Sequence, residues 1–164
     1  MEDKKGPQII LGIDPGFGRC GFGVITESGH DWKVLTHGVI TTAQQEFPAR
    51  LHELARDLEA LITSYHPTML AIEELFFAKS TTTALKVAEA RGVILLMAQT
   101  HGLRVVEVKP NEVKLAMTGY GKADKVQVQE MVKTVFHLEA VPRPDDAADA
   151  LAIAWTGATK QQYA

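Results

Sequence analysis

IILGIDPGFGRCGFGV, residues 9–24, is the stretch whose reading decides the fold. Residues 9–14 form an apolar run of strand length, Pro15-Gly16 is a turn signal, and 21–26 (GFGVIT) reads as a second strand, so the two are expected to pair as a hairpin. Gly16, Gly18 and Gly21 match the G-x-G-x-x-G spacing that, in a dinucleotide-binding fold, seats a pyrophosphate on a helix N-terminus. Here Phe22, Gly23, Val24, Ile25 and Thr26 follow as a strand, and no helix dipole is present to receive a phosphate. The glycines are expected instead to make a tight hairpin and to leave room beside Asp14.

Working outward, Glu27-Ser28-Gly29 supplies a turn before 32–42 (WKVLTHGVITT), a third strand rich in aromatic and β-branched residues. Leu51, Leu54, Leu58, Leu61 and Ile62 form a helical apolar stripe between Pro48 and Tyr65. A buried strand is predicted at 68–74, a long helix around 80–100, a strand near 103–108, and helices near 110–118, 123–137 and 144–159. The order βββαβαβ followed by helices predicts a single α/β domain, residues 1–164, built on a mixed five-stranded sheet. A three-strand antiparallel meander joins parallel strands, and helices flank both faces. That order excludes a TIM barrel and a purely parallel sheet.

Composition agrees with one globular domain: 46% of the 164 residues are hydrophobic and 23% charged. No apolar run approaches the roughly 20 residues of a membrane helix, and MEDKKGPQ is a polar opening, so a cytoplasmic protein without membrane anchor is expected. The lone Cys20 has no thiol partner for a disulfide or a structural zinc site. The net charge of −3 runs against the basic excess usual in proteins that grip phosphates. Its distribution does not: Lys109, Lys114, Lys122, Lys125 and Lys133 gather in one segment, and a site for divalent cations needs carboxylates of its own.

Four carboxylates stand out. Asp14 ends the first strand, where an aspartate either caps a turn or serves a site. Glu73 ends the apolar run 69–72 in a strand expected to be central, where an unpaired charge costs several kcal/mol and implies a cation or a hydrogen-bonding partner. Glu74 faces the other way, and strand parity alone does not say which glutamate faces the site. Asp146 and Asp149, three apart at the start of the alanine-rich DDAADALAIAW, share a face of the first helical turns. Aspartates there also complement the helix dipole, which accounts for Asp145 better than for Asp149. Oxygen donors without histidine or thiolate suit Mg²⁺ or Mn²⁺ rather than zinc.

GIDPGFGRCGFGV at 12–24, AIEELFFAKSTTTALKVAEARGV at 71–93 and DDAADALAIA at 145–154 together resemble the RuvC family of bacterial Holliday-junction resolvases, members of the ribonuclease-H-like superfamily. The three motifs span nearly the whole chain in the family's order. The resemblance implies that Asp14, Glu73, Asp146 and Asp149 bind metal, selecting Glu73 over Glu74 and leaving Asp145 as an additional residue. It places Lys114 and Lys125 at the DNA and the scissile phosphate, and Phe76 against a base near the junction point. It also implies a homodimer that works with the RuvA and RuvB branch-migration proteins on four-way junction DNA.

Residue chemistry supports part of this. Lys122 and Lys125 flank the turn Thr118-Gly119-Tyr120-Gly121 before a helix that Asp124 is placed to cap, a geometry that presents amides and ammoniums to phosphate, though a solvated helix start has the same pattern. Phe76 follows Glu73 closely enough to stack on an unpaired base, although paired phenylalanines are commonly core residues. The helix near 80–100 is too apolar to be satisfied by one sheet face, so a second buried face is expected.

The expected reaction is phosphodiester hydrolysis with two metal ions about 3.5–4 Å apart, giving 5′-phosphate and 3′-hydroxyl ends, with Lys125 stabilising charge on the phosphate. An RNA-processing nuclease of the same fold and a non-catalytic junction-binding module are the alternatives. An actin-like nucleotide-binding domain would need a second half.

Overall fold

In the computed structural model, residues 6–75 and 81–162 are described. The elements are β1 (Ile9–Asp14), β2 (Arg19–Ser28), β3 (Asp31–Thr41), α1 (Phe47–Tyr65), β4 (Met69–Glu73), α2 (Thr81–Thr100), β5 (Arg104–Val108), α3 (Pro110–Thr118), α4 (Lys125–Val135) and α5 (Asp145–Gln162). The expected order is reproduced. The boundaries differ most at α5, predicted to end at 159 and running to Gln162, at β2, predicted two residues shorter at each end, and at α4, predicted two residues longer at each end. Asp124 caps its start, accepting from the Gln127 amide at 2.8 Å, and His137, with φ 53°, leaves helical geometry just beyond its end.

The sheet order is β3-β2-β1-β4-β5. β1 pairs antiparallel with β2 and parallel with β4, β2 antiparallel with β3, and β4 parallel with β5. This is the mixed five-stranded sheet expected from the chain order. Its two faces carry separate cores. Leu11, Ile13, Leu70 and Ile72 pack with Leu54, Leu58 and Ile62 of α1 and Ala90, Ile94 and Ala98 of α2. Ile10, Met69 and Ala71 pack with Leu151, Ala154 and Ala158 of α5 and with residues of α3 and α4. Strand alternation sorts these sets, because neighbouring side chains leave a strand on opposite faces.

Helix α5 lies unusually near the sheet. A Cβ on Gly21 would sit 2.1 Å from the Asp146 carbonyl oxygen, and one on Gly12 2.2 Å from that of Ala150. The room left by the missing side chains is therefore filled by helix backbone. Ala150 and Ala154 of α5 meet Gly12 in this contact, and Ala147, Ala148 and Ala152 are buried as well. Among the described residues no helix is long and apolar enough to cross a membrane.

Candidate metal centre

Each acidic side chain reaches the site through an element whose placement has a cause. Asp14 is the last residue of β1, beside the hairpin loop. In the ladder Asp14 lies opposite Gly21 and Gly12 opposite Gly23, and the glycines at 12 and 21 touch α5, so Asp14 points to the α5 face. On the other side Gly12 pairs with Ala71, which itself lies against Gly157 of α5. Glu73 has the parity of Ala71 and emerges on the same face as Asp14. Glu74 has the opposite parity, and its amide donates to the Val108 carbonyl oxygen at 2.8 Å. The register thus orients Glu73, a choice that strand parity left open.

The close seat of α5 carries Asp146 and Asp149 over the end of β1. One carboxylate oxygen from each of Asp14, Asp146 and Asp149 can be chosen so that all three lie within 4.8 Å of one another. Glu73 stands outside that tight group but adjoins it. It shares a cleft of about 170 Å³ with Asp14, Pro15, Glu74 and Arg91, and another of about 250 Å³ with Asp149, Lys114 and Lys125. Glu73 therefore borders both recesses, with Asp14 on the first and Asp149 on the second.

Their electrostatics show the cost of this crowding. Burial first, then the charges of Asp149, Glu73 and Asp146, push the Asp14 carboxyl from 3.8 up to about 7, against the pull of Lys125. Glu73 is raised by burial and by Asp149, with Lys114 opposing. Asp149 is raised by burial, which outweighs its contact with Lys125. Carboxyls that resist ionisation beside one another are a donor set suited to a cation, whose charge removes the repulsion.

The basic residues expected at the site divide. The Lys125 ammonium, at the first turn of α4, lies 3.5 Å from carboxylate oxygens of both Asp149 and Asp145. Burial lowers its proton affinity, and these two charges outweigh that and raise it. Lys114 lines the recess between Glu73 and Asp149. Lys122 is exposed in the turn before α4, and among the described residues no contact joins it to the carboxylates. Phe76 lies outside the described residues.

Three features are not legible in the sequence. Arg19 donates from Nε at 3.0 Å and Nη2 at 2.8 Å to a single oxygen of Asp146. It has the parity of Gly21 and Gly23 on β2, so the face was legible, but the proximity of α5 was not. Arg91 of α2 donates to the Glu73 carbonyl oxygen at 3.3 Å and pairs with Glu107, fixing the end of β4. Asp145 is held by Arg143 at 2.5 Å and by Lys125, which gives it a structural partner at the start of α5. Cys20 is buried, and burial pushes its thiol up to about 12, so it is inert at neutral pH.

Comparison with known proteins places this geometry. The family model described as crossover junction endodeoxyribonuclease RuvC matches residues 10–157. The RuvC protein of Heliobacterium modesticaldum is 52% identical over 147 residues, 89% of this chain and 91% of that protein. That of Thermosipho melanesiensis is 48% identical over 94% of this chain and 99% of its own length. Among solved structures, Thermus thermophilus RuvC in complex with Holliday junction substrate superimposes with a TM-score of 0.90 at 34% identity, covering 95% of this chain and 96% of that one.

Proposed function

This chain belongs to the RuvC family of crossover junction endodeoxyribonucleases and has its ribonuclease-H-like fold, and from that membership we propose that it resolves four-way DNA junctions by paired nicks, with Asp14, Glu73, Asp146 and Asp149 as its metal-binding carboxylates. The observation that carries the reading is the convergence of Asp14, Asp146 and Asp149 from two distant segments to within 4.8 Å, with Glu73 delivered to the same sheet face by the register. The donor set is all oxygen and hard, which fits Mg²⁺, with Mn²⁺ as a substitute and two ions per site.

When bound, the ions supply Lewis acidity at the scissile phosphate and a water acidic enough to attack at neutral pH. The chain's own groups do the rest. The four carboxylates offer the anionic oxygens, and Asp14, near half-protonated at neutral pH without a cation, releases its proton as the site loads. Lys125 keeps an ammonium beside Asp149, where it can meet the transferring phosphate and stabilise its developing charge. Lys114 lines the adjoining recess and holds the backbone of the bound strand. In-line attack leaves 5′-phosphate and 3′-hydroxyl ends that can be ligated. Lys122, exposed at the rim, contacts DNA farther from the cut, and Phe76 stacks on a base freed at the junction centre.

We place residues 1–164 in one nuclease domain that acts in the cytoplasm as a homodimer, its two sites cutting symmetric strands. Leu85 and Leu96 of α2, 56% and 63% exposed, support a dimer contact on that helix. RuvA and RuvB are the branch-migration partners this reading expects. The deciding experiment is incubation of the purified protein with a synthetic four-way DNA junction, a linear duplex of the same sequence and an RNA four-way junction, each with and without Mg²⁺. Paired nicks in the DNA junction alone, and only with Mg²⁺, are expected. Equal cutting of the RNA junction would support an RNA-processing nuclease instead, and binding without cutting a non-catalytic module.

A further inference from the structure

Arg19 is out of keeping with a purely structural role. Its side chain is 58% exposed, yet its guanidinium is spent on one oxygen of Asp146, a carboxylate itself 33% exposed. Exposed ion pairs contribute little to stability, so the fold does not depend on this contact. The pair sits at the rim of the cluster formed by Asp14, Asp146 and Asp149.

Local charge explains what the pairing does. In the metal-free site four carboxylates face three fixed cations, Arg19, Lys125 and Lys114, and Arg19 neutralises part of the excess. A single divalent ion reverses that balance and leaves a surplus of positive charge. The guanidinium can then be released, being more than half exposed and carried by the first residue of β2 next to the hairpin loop; unlike Lys125, which is as exposed but shared between Asp145 and Asp149, it is hydrogen-bonded to one carboxylate oxygen only. Its planar fork of N–H donors matches the non-bridging oxygens of a phosphodiester, which arrives with the negative charge the loaded site lacks.

Building on the metal-site reading above, we propose that Arg19 is a phosphodiester-binding residue, held on Asp146 in the metal-free protein and transferred to a DNA phosphate when a divalent cation takes that carboxylate. Arg19 thereby couples two events: it competes with the cation for Asp146 and, once displaced, adds one phosphate contact to the bound junction. Metal loading and DNA binding reinforce each other through the same side chain.

The two halves predict effects of opposite sign, which a merely structural arginine would not produce. Arg19→Gln is compared with wild type in two assays, Mn²⁺ binding without DNA by titration calorimetry, and junction binding in Ca²⁺ by fluorescence anisotropy across a salt series. Arg19→Lys, which keeps the charge without the fork, serves as the second variant, and melting curves confirm that each is folded. Arg19→Gln is expected to bind Mn²⁺ about two- to fivefold tighter. It is also expected to bind the junction more weakly, with the slope of log K against log salt shallower by about 0.9, one phosphate contact. Arg19→Lys should restore the salt slope. Weaker Mn²⁺ binding by Arg19→Gln would overturn the proposal by showing that Arg19 only orients Asp146. Tighter Mn²⁺ binding with an unchanged salt slope would overturn the phosphate contact. A wild type that binds no Mn²⁺ would overturn the metal-site reading and this proposal together, whereas a wild type that binds it alongside an indifferent variant overturns this proposal alone.

Discussion

Replacing Asp14 with asparagine should make the metal-free protein more stable while destroying its activity. Burial and three neighbouring carboxylates raise the Asp14 carboxyl from 3.8 to about 7, so the folded state holds this proton more tightly than the unfolded chain does. Ionising it therefore opposes folding. The penalty is absent below about pH 3.8, grows between there and pH 7, and is fully present above. At about 1.36 kcal/mol per tenfold change in proton affinity, the ceiling is roughly 4 kcal/mol. Relaxation and water entry reduce such penalties, and half the ceiling, about 2 kcal/mol, corresponds to a Tm higher by about 4–8 °C for a chain of this size. The assay is thermal unfolding of wild type and Asp14→Asn in EDTA from pH 4.5 to 8. The advantage of the variant should be largest at pH 8 and shrink to about a quarter by pH 4.5. Saturating Mn²⁺ should raise the wild-type Tm and leave the variant nearly unmoved, since only the former keeps all its ligands. A variant less stable than wild type in EDTA at pH 8, or an advantage independent of pH, would refute the account of the site as a cluster of carboxylates held against their mutual repulsion.

Glu73→Gln should lower junction cleavage by more than about a hundredfold, beyond the range typical of losing an outer-shell metal partner, while Glu74→Gln cuts normally; the reverse result in a nicking assay would mean that the faces of β4 are assigned wrongly. Gly12→Ala places a methyl 2.2 Å from the Ala150 carbonyl oxygen and 2.7 Å from the Ala154 Cβ, and should cost about 1–3 kcal/mol in denaturant unfolding; an unchanged midpoint would mean that α5 can lift off the sheet freely. Light scattering should report twice 17.9 kDa, and Leu85→Glu with Leu96→Glu should halve that mass without loss of helicity; a wild type that is already monomeric at micromolar concentration counts against the α2 contact. Phe76→Ala should lose about 1–3 kcal/mol of transition-state stabilisation on a fully paired junction and less on one mismatched at its centre; equal defects on both, with a lowered melting temperature, would identify a core residue.

Local patterning makes the elements readable from the chain alone. The apolar run at 9–14, the turn at Pro15-Gly16 and the stripe Leu51, Leu54, Leu58 and Ile62 each follow from side-chain period and turn chemistry, which act over a few residues. The same locality makes Asp146 and Asp149 recognisable as a pair on one helical face, and it dismisses the glycine triplet as a nucleotide motif because strand, not helix, follows it. Chemistry that joins distant segments is not readable in this way. Parity cannot say which of Glu73 and Glu74 lies on the face that α5 covers, and the pairing of Gly12 with Ala71 puts Glu73 on that face only once the strands are assembled. The pairing of Arg19 with Asp146 crosses 127 positions, and the raised Asp14 carboxyl needs three other acids brought beside it. Those properties depend on the close approach of α5 permitted by glycines at 12 and 21. Electrostatic interaction falls with distance in space, and only the folded sheet sets that distance.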